Sequence, residues 1–224
     1  MNNTQPSISV NKLGEYIVSR GNRQREILRD RKFPQDYKGM YYKESLEAIT
    51  HALASNLENL SPVEKAKQIL EQQAPDRIGT QRRLNANIDA LESFDGLLDD
   101  IEFKGGEPEI APHTPDHLVR HNVSISVRPE IIIRGDGKKK GPLVGAVKLH
   151  FSRTRPLTEE SAGYVSAIVQ QYCKEKVAGN EEVYGPYCFV VDMGSRRVYP
   201  GVKSTIQRMK DVDSECMNIA ALWP

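Results

Sequence analysis

Apolar residues recur at helical spacing through the N-terminal part of the chain and at strand spacing beyond it. Leu13, Tyr16 and Ile17 fall on one face of a helix predicted to start near residue 11, with Ser9 placed to cap it. The pattern thins over 23–31, where Ile27 and Leu28 are the apolar residues, and Phe33-Pro34 ends it. A second helix is predicted over 41–57, with Leu46, Ile49, Leu53 and Leu57 three and four residues apart. Ser61-Pro62-Val63-Glu64 carries a helix-start signature and opens a third helix to about residue 73. Leu84, Ile88, Leu91 and Phe94 mark a fourth over 79–98. Gly105-Gly106 with Pro108, Pro112 and Pro115 then make 102–115 a connector and a candidate boundary.

Beyond the connector the period changes. Residues 122–134 are rich in β-branched side chains, with Pro129 placing a bend or edge among them. The segment 143–151 alternates cleanly: Val147, Leu149 and Phe151 share one face, and Ala146, Lys148 and His150 the other. A turn-rich linker, 135–142, joins these two segments into a hairpin. Next comes a helix over 158–176, with Glu159 and Glu160 in its first turn and a stripe of Val165, Ile168, Val169 and Tyr172. Two short strands follow, 187–192 and 197–202, then a short helix from 204 and an apolar end that tucks against the body. The expected fold is α+β (or α/β) with a helical N-terminal subregion. Its division is 1–104 for the helices and 117–224 for the core, with one continuous domain as the alternative.

Composition narrows the class. At 224 residues, 38% apolar and 27% charged, the chain can bury a real core without staples. A net charge of +1 hides segregation: eight basic against three acidic residues over 20–43, eight acidic against one basic over 89–109, and seven basic against one acidic over 134–155. Two basic patches flanking an acidic strip suit a groove that tracks a phosphate backbone, while solvated faces are the simpler reading of any single run. Cys173, Cys188 and Cys216 are odd in number and lack a CxxC pair, so neither a disulfide framework nor a zinc site is expected. The N-terminus has no signal-peptide pattern and no apolar run reaches membrane-span length, so the expected location is cytoplasmic with no membrane partner.

The block Val127-Arg128-Pro129-Glu130-Ile131-Ile132-Ile133, then Val144-Gly145-Ala146-Val147-Lys148-Leu149, then a helix, resembles the core of the PD-(D/E)XK nuclease superfamily. The likeness covers roughly 117–203, and that superfamily includes many restriction enzymes and the RecB-type exonucleases. It implies a restriction-endonuclease-like mixed central sheet flanked by helices. It also implies Mg²⁺-dependent hydrolysis of nucleic acid, DNA rather than RNA, in a phage-defence or mobile-element setting. Glu130 would ligate the metal, and Lys148 would assist the attacking water or the developing phosphorane charge. That family places a second acid two residues before the lysine. Here the residue is Ala146. Replacements considered are Glu159 and Glu160 at the following helix, Asp116 as a metal ligand, Glu44 or Glu47 from the second helix, and His150. Otherwise the protein is catalytically silent and binds nucleic acid or a protein partner, as a homo-oligomer or a subunit of a larger complex.

Further candidates are basic or histidine-rich. Lys138, Lys139 and Lys140 at the hairpin tip, with Arg153 and Arg155, are candidate phosphate contacts. Phe33, Tyr37, Tyr41 and Tyr42 interleave with basic residues, which suits base stacking or an ordinary core. His113, His117 and His121 recur every fourth residue, a helical metal-ligand spacing contradicted by the surrounding prolines and a following strand. P-loop, GxSxG, HExxH and dinucleotide glycine motifs are absent.

Overall fold

A computed structural model describes residues 3–34, 41–137 and 141–224. The chain is a mixed α+β structure built on two sheets. Strands β1 (Ser7–Ser9), β2 (Glu107–Ile110), β3 (Leu118–Arg120), β4 (Val123–Ser126), β5 (Ile131–Gly137), β6 (Gly141–His150), β7 (Glu182–Val183), β8 (Val190–Asp192) and β9 (Arg197–Tyr199) are interleaved with seven helices among the described residues. These are α1 (Val10–Val18), α2 (Asn22–Lys32), α3 (Lys43–Ala54), α4 (Ser61–Gln72), α5 (Ile78–Asp95), α6 (Glu159–Tyr172) and α7 (Ile206–Leu222).

The larger sheet runs β2-β5-β6-β8-β9, with β7 also paired to β6. Its centre is the β5–β6 hairpin, in which Ile131 faces Val147 and Gly137 faces Gly141. After β6 the chain crosses over through α6 and returns as β8, parallel to β6, with Lys148 beside Val190 and His150 beside Asp192. The strand, strand, helix, strand, strand order is the one the hydrophobic pattern predicts, and the parallel pair needs such a crossover.

Period-two alternation gives the sheet two buried faces. Ile131, Ile133, Val147, Leu149 and Val191 pack under the helical layer that contributes Ile49, Leu53, Leu84, Leu91 and Phe94. Ile132, Val144, Ala146 and Val190 pack with Leu13, Tyr16, Val165, Ile168 and Ile219 from α1, α6 and α7. Each such side chain contributes about 1.5–3 kcal/mol by leaving water. The N-terminal helices therefore share both cores with the sheet. On α1, a Cβ at Gly14 would lie 2.8 Å from the Ser161 carbonyl oxygen, so glycine there permits close approach to α6.

Several boundaries differ from those expected. The weak pattern after residue 18 is a separate helix, α2, beginning after a turn at Gly21, where φ is +55°. The connector 102–115 contains edge strand β2, whose proline is tolerated because an edge leaves its N–H side unpaired. The stretch 122–134 is two strands in different sheets: β4 pairs with β1 and β3, and β5 belongs to the large sheet. Arg128, at φ +43°, turns the chain between them. The last helix is long, and its end is only partly tucked: the Trp223 Nε1 donates to the Asn3 carbonyl at 3.3 Å, while Leu222 is exposed.

Candidate functional site

Glu130 immediately precedes β5, and its N–H donates to the Val147 carbonyl at 3.0 Å, which sets it opposite Lys148 across the hairpin. The Lys148 ammonium donates to Glu130 Oε1 at 2.5 Å and to the Arg128 carbonyl at 2.8 Å. Glu130 Oε2 accepts from the Leu149 N–H at 2.7 Å. Both side chains are nearly enclosed, 10% exposed for the lysine and 12% for the glutamate. Burial pushes the Glu130 carboxyl above its ordinary range, and the charge of Lys148 and its hydrogen bond oppose that rise. The acid and the ammonium thus share one face of the hairpin.

The same face continues into His150 and Asp192. His150 Nε2 donates to the Arg155 carbonyl oxygen at 2.9 Å. Burial pulls its pKa down, against the opposing charge of Asp192. Asp192 is fully buried and accepts from the backbone N–H groups of Leu157 at 2.7 Å and Gly194 at 2.9 Å. It fastens the loop between β6 and α6 to the turn after β8. Asn11 on α1 donates from Nδ2 to the Leu149 carbonyl at 3.0 Å, while its Oδ1 is buried without a partner.

The replacement acids do not converge on this pair. Glu159 is 86% exposed and lies 3.7 Å from Arg197, while Glu160 is exposed in the same helical turn. Asp116 is exposed on the loop before β3, beside a separate cavity of about 360 Å³ lined by Arg134, Tyr172 and Lys176. Glu44 pairs with Arg83, and Glu47 lies 3.7 Å from Lys43. A hard divalent ion requires several oxygen ligands. The pair offers one carboxylate, with both oxygens already accepting hydrogen bonds. Among the described residues, no cluster of three or more His, Cys, Asp or Glu side chains could hold a metal. In this arrangement the donor set does not fit Mg²⁺.

The histidine series is likewise dispersed: His117 Nδ1 lies 2.7 Å from Ser124 Oγ, and His121 is 3.8 Å from Asp213. Tyr42 stacks on Phe151 at 5.2 Å and meets Tyr41 edge-on, so these rings pack against the body. Lys138, Lys139, Lys140 and Tyr37 lie outside the described residues. Arg153 and Arg155 diverge. Arg153 pairs with Asp89 on α5, whereas Arg155 lines a cleft between α1, α2 and the β6–α6 loop.

That cleft, of about 490 Å³, is where basic side chains from distant parts of the sequence meet. Lys12, Arg23, Arg31 and Arg155 line it, with Asp30 and Ile27. Glu15 holds two of the four cations, Lys12 at 2.6 Å and Arg23 at 2.5 Å. The Arg31 Nε donates to the Ser7 carbonyl at 3.3 Å, and burial pulls its guanidinium pKa down. The sequence does carry a trace of this site. Arg23, Ile27 and Arg31 recur every fourth residue, which puts them on one face of α2. Lys12 gives no signal of its own. The cleft lies beyond the C-terminal end of β6, where Ser152, Thr154 and Arg155 line it.

No family model matches the chain, and no curated protein does.

Proposed function

We propose that the protein binds nucleic acid through phosphate groups, using a nuclease-like core that is catalytically silent. The observation that carries this is the convergence of Lys12, Arg23, Arg31 and Arg155 on one cleft. Guanidinium groups form paired, charge-assisted hydrogen bonds with phosphate oxygens, and a concave basic surface raises their strength by excluding water. In this reading Glu130 and Lys148 neutralise each other inside the sheet and fix the β5–β6 hairpin. The nuclease likeness and a preference for DNA over RNA both rest on the resemblance. So does a phage-defence or mobile-element setting.

A second reading, Mg²⁺-dependent hydrolysis, is favoured by one observation: the acid and the ammonium touch on a shared face. It requires another acid to approach Glu130. Fluorescence anisotropy with labelled DNA and RNA, run alongside cleavage assays with and without Mg²⁺, separates the two. Binding without cleavage supports the first reading. Cleavage lost in Lys148→Met, with the fold intact, replaces it with the second.

A further inference from the structure

Resting on the nucleic-acid reading above, we propose that the cleft between α1, α2 and the β6–α6 loop is a site for a phosphate monoester. A nucleoside monophosphate or a phosphorylated strand end would carry that group.

Shape is the first argument. The cleft draws its lining from three separate stretches of the chain. Ser9 and Lys12 of the α1 entry form one wall, Arg23 and Arg31 the second, and Thr154 and Arg155 the third. At about 490 Å³ it falls in the range of small-ligand pockets and accommodates a single nucleotide. Ile27 and Pro34 supply an apolar surface for a sugar or base.

Charge is the second. Glu15 offsets part of the charge of Lys12 and Arg23, and Arg23 also reaches Glu26 at 3.1 Å. Among the described residues no carboxylate pairs with Arg31 or Arg155, although Arg31 is desolvated. A half-buried guanidinium is stabilised when a counter-charge arrives. A phosphate monoester brings close to two negative charges at neutral pH, where an internal phosphodiester brings one. Asp30, the acid among the lining residues, opposes any anion, and the four lining cations outnumber it.

The third is the end of α1. Its N-cap residue, Ser9, makes no side-chain capping bond, so the first-turn N–H groups and that hydroxyl are not satisfied by a cap. A helix N-terminus beside unpaired guanidinium groups favours an anion.

The test uses the full chain and two matched pairs of ligands. Adenosine monophosphate is compared with adenosine by calorimetry. A 5′-phosphorylated single strand is compared with its 5′-hydroxyl counterpart by anisotropy. The phosphate is expected to tighten binding about ten-fold or more in at least one pair, the worth of one charge-assisted contact. Arg155→Gln, on an exposed and unpaired side chain, should keep the wild-type melting temperature and lose most of that advantage. Arg31→Lys should retain part of it. Equal affinities within both pairs overturn the proposal, and if both strands still bind, the nucleic-acid reading survives alone. If adenosine monophosphate binds and neither strand does, the monoester site stands and the nucleic-acid reading falls.

Discussion

Lys148→Met removes the ammonium from the Glu130 pair and keeps the stem that packs in the sheet. Removing one partner of a buried ion pair costs about 3–5 kcal/mol, because the other charge remains unpaired. The lower end, about 3 kcal/mol, fits here because Glu130 keeps the Leu149 N–H and both side chains retain slight solvent contact. For a chain of this size that is roughly 6–12 °C in melting temperature. The loss should depend on pH. In the wild type burial has raised the Glu130 carboxyl above its ordinary range. Its contribution to stability is therefore complete below that range and declines as pH rises through the raised value. Without Lys148 the folded value climbs further, so the window of loss extends upward. Urea denaturation followed by circular dichroism should then show a smaller deficit near pH 5 than near pH 8. The double variant Glu130→Gln/Lys148→Met should lose less than the two single variants summed. A deficit under about 1 kcal/mol, or one equal at both pH values, would refute the buried-pair argument.

Other outcomes follow from the same structure. Thr158→Ala should cost about 1 kcal/mol by urea denaturation, since Thr158 and Ser161 form a reciprocal capping box at the start of α6. Gly145→Ala should cost about 1–3 kcal/mol or more, because the added Cβ meets the Tyr187 carbonyl carbon at 2.8 Å and backbone cannot yield cheaply. Burial pushes the Cys216 thiol to about 12, and all three cysteines are enclosed, so an aromatic disulfide reagent at mildly alkaline pH should label them only after unfolding. Rapid labelling of the folded protein would contradict that burial. Tyr164 donates to Asp211 at 3.0 Å and is raised to about 12. The ultraviolet titration of Tyr164→Phe should accordingly match wild type until strongly alkaline pH.

Much of the fold is legible in the letters, because a helix with one buried face carries a strong apolar period and a strand buried on both faces reads as a short apolar run. Val147 and Leu149 on one face of β6, with Ala146 and Lys148 on the other, follow directly from alternation. Strand β2 is not legible: its residues are mostly exposed, and Pro108 reads as a breaker until the neighbouring β5 supplies hydrogen bonds. The break between β4 and β5 is equally hidden, since the positive φ of Arg128 depends on tertiary packing rather than on residue type. Of the candidate site, the Glu130–Lys148 contact is predictable from the hairpin register. The cleft is not, because Lys12, Arg23 and Arg155 are brought together by α1 folding over the C-terminal end of β6.

The central claim is that the cleft meets phosphate and the buried pair does not cut. Its most direct test is DNA binding measured across a salt series, in EDTA and in Mg²⁺, for wild type and Arg155→Gln. The account predicts affinity that falls linearly on logarithmic axes and is unaffected by EDTA. Arg155→Gln should give a slope shallower by about 0.7–0.9, the loss of one phosphate contact. Binding indifferent to salt and to Arg155, or strand scission that needs Mg²⁺ and Lys148, would contradict it.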